Sequence, residues 1–140
     1  MHSMESLKAR YPRATAWAFG DSPQLADQLA ELVVKGIKTA TCTSLASLKN
    51  EADTPFVGGY SIILNGRDEP VCVIKTLSIR LQRFCDVDDD FARKEGEGDL
   101  SLSYWRKGHK AYFQREGTYQ ETMALALEEF ELVEVLIPAE

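Results

Sequence analysis

The chain has 140 residues, enough for one domain with a substantial core. Hydrophobic residues make up 44% and charged residues 27%, proportions typical of a globular protein. The net charge of −6 disfavours a general polyanion binder, since non-specific nucleic-acid affinity needs a positive surface, and no apolar run approaches the roughly 18 residues of a membrane span.

Met1 to Arg10 has no apolar core and does not read as a signal peptide. Ala14 to Phe19 predicts a short strand, and Gly20-Asp21-Ser22-Pro23 turns it into a helix. In that helix, Gln24 to Val34, residues Leu25, Leu29, Leu32 and Val33 fall at helical spacing. Ser22 suits the N-cap, Pro23 the first helical position and Gly36 the left-handed residue after the last turn. Asp21 reads first as part of that cap.

After Lys38 the period changes from helical to two. Thr39, Thr41 and Thr43 alternate with Ala40, Cys42 and Ser44, which predicts a strand with hydroxyls on one face and a lysine at its root. On a regular strand Lys38 and Thr41 point to opposite faces. They converge only if Lys38 still belongs to the turn, or if a bulge re-aims it.

Asn50 to Pro55 is polar and predicts a loop. Tyr60 to Leu64 predicts a strand, Asn65-Gly66 a hairpin lengthened by Arg67 to Pro70, and Val71 to Leu77 the return strand, continuing toward Phe84. Two long adjoining strands of this kind predict a small, strongly curved sheet or barrel. Asp86 to Lys94 predicts a helix capped by Asp88. Glu95-Gly96-Glu97-Gly98-Asp99 reads either as a solvated turn or as glycine-flanked acid brought close to another backbone or a ligand. Asp99 or Ser101 caps a longer helix that runs to Phe113 and ends at Gly117. In it Leu102, Trp105, His109 and Tyr112 form one stripe. Arg106, Lys107 and Lys110, with Arg115, make one side basic. Met123 to Val135 is read as a closing strand with a bulge.

The cysteines Cys42, Cys72 and Cys85 show no metal-ligand spacing, and an odd number leaves at least one without an intrachain partner. They are read as reduced and mostly buried, which points to a cytoplasmic protein. No ligand cluster appears, so no metal and no organic cofactor is expected.

Four blocks taken together carry a family likeness. They are Trp17 to Ser22, Gly36-Ile37-Lys38-Thr39-Ala40-Thr41, Val57-Gly58-Gly59-Tyr60, and Glu95-Gly96-Glu97-Gly98-Asp99-x-Ser101-Leu102-x-x-Trp105-Arg106-x-x-His109. In this order they closely resemble the ASCH domain, from about Trp17 to Val135. The resemblance implies a single α+β domain, with a core from about 14 to 136. Its expected form is a small PUA-like β-barrel flanked by helices, with a central cleft for RNA or a nucleoside. Neither a membrane nor DNA is an expected partner. The oligomeric state stays open.

The resemblance also implies chemistry. Some bacterial members of the superfamily hydrolyse the amide of N4-acetylcytidine with a threonine, a lysine and a glutamate. Their lysine and threonine match Lys38 and Thr41; their glutamate falls near Glu95, with Glu97 the rival. On that reading Thr41 is the nucleophile and Lys38 the base, neutralised by desolvation. Glu95 is an acid of raised pKa or an orienting group, and N–H groups of the Gly36 turn hold the oxyanion. Trp17, Asp21, Thr39, Ser101, Trp105, Arg106, His109 and Tyr112 are the expected substrate-binding residues. Two other readings stand beside it. One is metal-independent RNA cleavage with a charged Lys38. The other is non-catalytic RNA binding through Arg106, Lys107 and Lys110.

Overall fold

One sheet of five strands organises the chain in the computed structural model, which describes residues 3–48 and 55–136. The elements run α1 (Met4–Arg10), β1 (Thr15–Trp17), α2 (Pro23–Val34), β2 (Ala40–Ser44), α3 (Leu45–Leu48), β3 (Tyr60–Leu64), β4 (Pro70–Arg83), α4 (Asp89–Glu95), α5 (Leu102–Glu116) and β5 (Ala124–Val135). The strand order is β1-β3-β4-β5-β2. β1 runs parallel to β3, and the other neighbours are antiparallel.

β1 and β2 are therefore the two edges. Yet Trp17 of β1 and Thr41 to Thr43 of β2 line one cavity. Edges separated by three strands can do that only if the sheet curls round on itself. The sheet is a half-barrel, and its open seam is the cleft. Two bulges help it bend. Leu77 on β4 and Val133 on β5 each lack an opposite residue in the β4–β5 register. The bulge expected in the closing strand is thus present, with a second one on its partner.

The helix ends follow local chemistry. Ser22 Oγ accepts the Leu25 N–H at 3.1 Å, Asp88 Oδ1 the Phe91 N–H at 2.9 Å, and Ser101 Oγ the Tyr104 N–H at 3.0 Å. In the β3–β4 connection Asn65 Oδ1 accepts the N–H groups of Arg67 and Glu69, which holds the hairpin loop in shape. Three apolar clusters cover the sheet. One joins α2 (Leu29, Ala30, Val33) to Ile63, Ile74 and Phe130. A second joins α4 and α5 (Phe91, Trp105, Phe113) to Leu125 and Leu127. A third seats Leu7 of α1 on Ile62 and Val73.

Several details differ from the sequence expectation. α1 and α3 were not anticipated. β4 stops at Arg83, and Phe84–Asp86 forms a 3-10 turn. Cys72 is buried and Cys42 half-buried, but Cys85 is exposed. Asn50 to Thr54 of the expected loop lie outside the described residues. Among those residues no helix is long and apolar enough to cross a membrane.

Candidate functional site

Lys38 belongs to the turn between α2 and β2, which begins only at Ala40. That placement lets it share a cavity with Thr41 despite the spacing of three. Its side chain is 1% exposed. The ammonium donates to Glu95 Oε1 at 2.7 Å, to the Glu95 carbonyl at 3.2 Å and to Glu97 Oε2 at 3.3 Å, so all three of its protons are engaged. It also lies 5.2 Å from the centroid of the Phe19 ring.

Glu95 reaches this lysine because of the residue after it. Gly96 has φ +76°, and a Cβ there would sit 2.7 Å from the Ile37 carbonyl oxygen and 2.9 Å from Lys38 Cα. Only glycine lets the end of α4 press against the lysine's own backbone. Of the two sequence readings of the glycine-rich acidic stretch, close approach is the one realised for Glu95, whose side chain is 1% exposed. Glu97 stays 23% exposed beside it.

The second oxygen of Glu95 accepts the Trp105 indole N–H at 2.9 Å and lies 3.2 Å from His109 Nε2. Trp105 and His109 stack, with ring centroids 4.3 Å apart. His109 Nδ1 is 2.9 Å from the Trp105 carbonyl oxygen. Each imidazole nitrogen therefore faces an acceptor, and only the imidazolium can donate to both.

The charges follow from these contacts. Burial alone would lower the Lys38 pKa, but the Glu95 and Glu97 carboxylates outweigh it and raise the value. Burial alone would raise the Glu95 pKa, but Lys38 and His109 outweigh it and hold the carboxyl well below the usual range. His109 is raised too, because Glu95 overcomes the desolvation that favours the neutral ring. The resting site is a buried ammonium and imidazolium around a carboxylate. This reverses the expected neutral lysine base and the expected glutamic acid of raised pKa. The expected oxyanion donors are also committed. Gly36 N–H bonds to the Val33 carbonyl, and Ile37 and Lys38 N–H both bond to the Leu32 carbonyl.

Two cavities with shared walls open beside this centre. The larger, about 500 Å³, lies in the seam and is lined by Trp17, Thr41, Thr43, Ser61, Tyr112 and Glu128 among others. The smaller, about 300 Å³, is lined by Lys38, Thr41, Glu95, Glu97, His109 and Arg115 among others. Phe19, Gly20, Thr41, Cys42 and Tyr112 border both. Volumes of this order suit a small organic ligand.

Of the expected residues, Lys38, Thr41, Glu95, His109, Tyr112 and Trp17 line the cleft. Trp105 supports it from behind through Glu95. Asp21, Thr39, Ser101 and Arg106 do not line it. Asp21 pairs with Arg115 at 2.7 Å, Thr39 Oγ1 donates to the Lys94 carbonyl at 3.4 Å, Ser101 caps α5, and Arg106 is exposed.

Cys42 and Glu128 are among the lining residues that escaped the sequence reading. Cys42 borders both cavities, and burial first, then Glu95, pushes its thiol pKa well up. Glu128 is 6% exposed; a glutamate between Leu127 and Phe130 in an apolar strand was the available signal. One ligand atom each from Cys42, Glu95 and His109 lie within 4.8 Å of one another, a donor set suited to a transition-metal ion. The Lys38 ammonium already serves as the counter-cation of Glu95, however, and its charge opposes a metal ion there.

The ASCH domain family profile matches residues 15–134. Among curated proteins there is no match. The ASCH domain of Lactobacillus crispatus JV V101 is 33% identical, over 95% of this chain and 87% of that one, with a TM-score of 0.81. Protein EF3133 of Enterococcus faecalis V583 is 32% identical, over 94% and 85%, with a TM-score of 0.82. ASCH from Zymomonas mobilis, at 11% identity over 91% and 76% with a TM-score of 0.56, shares the fold.

Proposed function

The chain belongs to the ASCH domain family, and from that premise we propose that it hydrolyses the amide of an N4-acylated cytidine, free or within RNA. The observation that carries this reading is the common cavity of Thr41, Lys38 and Glu95. They are the residue types that the family resemblance assigns to amide hydrolysis. Thr41 is the nucleophile. Among the described residues its hydroxyl has no hydrogen-bond partner, and it borders both cavities. Trp17 and Tyr112 give the seam aromatic surface on which a base can stack.

Lys38 takes a different role from a base. As an ammonium it binds the developing oxyanion, with the substrate oxygen replacing Glu97, the partly exposed and more distant of its two carboxylate partners. Glu95 orients it.

Incubation with N4-acetylcytidine, followed by chromatography, should release cytidine and acetate. Thr41→Val should fold normally and release at least about 100-fold less. A purified wild-type protein that leaves N4-acylcytidines intact refutes the reading.

RNA cleavage has one observation in its favour, the charged Lys38. The Glu95 and Glu97 carboxylates balance that charge and the His109 imidazolium, so a phosphate meets no net positive field. A neutral amide carbonyl suits the site better. Ribonuclease activity that survives a chelator and is lost in Lys38→Ala would reverse this preference.

A further inference from the structure

A charged Lys38 leaves the Thr41 hydroxyl without a proton acceptor. Four carboxylates line the two cavities that Thr41 borders. Glu95 and Glu97 are bound to the Lys38 ammonium. Glu116 Oε1 accepts from Ser44 and Thr118 hydroxyls, at 2.8 and 2.7 Å. The fourth is Glu128.

Glu128 stands directly opposite Thr41 in the antiparallel β2–β5 pair. Side chains so opposed lie on one face, with Cβ atoms about 4.5–5.5 Å apart. Glu128 is 6% exposed, and its Oε2 accepts the Thr76 hydroxyl at 2.7 Å. Among the described residues Oε1 has no donor, and the residue lines the same cavity as Thr41.

We infer that Glu128 is the general base that takes the Thr41 proton, a deepening that rests on the amide-hydrolysis reading. The Thr41 oxygen bonds to the acyl carbon as its proton passes to Glu128. The C–N bond then breaks, and Glu128 returns the proton to the leaving nitrogen. Water attacks the acyl-threonine ester, giving its proton to Glu128. The carboxylic acid leaves, and Thr41 recovers its proton. The sum is one amide and one water converted to one acid and one amine.

Burial raises the Glu128 carboxyl pKa, with the Thr76 hydrogen bond opposing it, so its carboxylate is a stronger base than an exposed one. Thr76 fixes one oxygen and leaves the other to the substrate side.

Glu128→Gln keeps the acceptor for Thr76 and removes only the basicity. With N4-acetylcytidine as substrate, kcat should fall at least about 100-fold with KM within about threefold, at unchanged fold by circular dichroism. Glu128→Ala should lose as much, and added formate should restore at least a tenth of the lost turnover by filling the vacated space. Formate should do nothing for Thr41→Val. Turnover by Glu128→Gln within about threefold of an active wild type overturns the base assignment and leaves the hydrolase reading standing. A wild type inactive on every N4-acylcytidine takes both down.

Discussion

The Lys38 ammonium and the Glu95 carboxylate, 57 positions apart in the chain, meet at 2.7 Å with both side chains 1% exposed. Each is charged because of the other. Removing one leaves the other buried with a single, more distant counter-charge, His109 for Glu95 or Glu97 for Lys38. Lys38→Met should therefore destabilise the fold by about 3–5 kcal/mol. The double variant Lys38→Met with Glu95→Gln keeps an acceptor for the Trp105 indole and removes the under-compensated buried carboxylate. It should recover part of that loss in urea unfolding while remaining inactive. A single variant as stable as wild type would contradict the buried pair.

Gly96 fixes how closely that pair can approach. Adding a methyl group at φ +76°, 2.7 Å from the Ile37 carbonyl oxygen, forces either the turn or the end of α4 to move. Gly96→Ala should lower stability by about 1–3 kcal/mol, measured by urea unfolding. It should also lower turnover more than its stability loss alone accounts for. Gly108, where a Cβ meets nothing within 4 Å, is the control: its replacement by alanine should not destabilise.

How legible this was from the sequence depends on the range of the interaction. Ser22, Asp88 and Ser101 cap helices through contacts three residues away, so each signal was local. Lys38 and Thr41 were singled out by the change from helical to strand period, the family likeness gave them catalytic roles, and the turn placement that joins them was one of two geometries the spacing allowed. α1 went unseen because its only buried residue is Leu7, too little to set a periodicity. α3 spans four residues. The charge of Lys38 was misjudged because desolvation follows from residue type, whereas the opposing fields of Glu95 and Glu97 depend on a contact made across the fold. Glu128 was passed over because its strand was judged by its apolar neighbours, and its pairing with Thr41 is a matter of register.

His109 gives the fold a dependence on pH of definite sign. Its folded pKa is raised above the ordinary imidazole value of about 6.5, so the protonated ring binds more tightly in the native state. That stabilisation is complete below the unfolded pKa and is lost as pH rises through the folded one. Glu95 acts at the other end. Its lowered pKa gives stability that is present above the ordinary carboxylate value and lost as pH falls through the folded one. The stability difference between wild type and His109→Gln should shrink as pH rises from 6 to 9. A difference that grows over that range would refute the imidazolium.

The three thiols should separate by rate. Cys85 is exposed. Burial pushes Cys72 up to about 12, and burial with Glu95 pushes Cys42 well up. A thiolate-specific reagent at neutral pH should modify Cys85 of the native protein quickly and the other two only on unfolding. Fast loss of two thiols from folded protein would show that Cys42 is open and ionised.

The half-barrel's seam has one more effect. An exposed strand edge invites another chain to pair with it, and proteins ordinarily guard against that aggregation. Here β1 and β2 turn their outer edges toward one shared hollow instead of toward neighbouring molecules. Curvature thus does two jobs: it shelters two sticky borders from self-association, and it leaves a hollow between them for a small molecule.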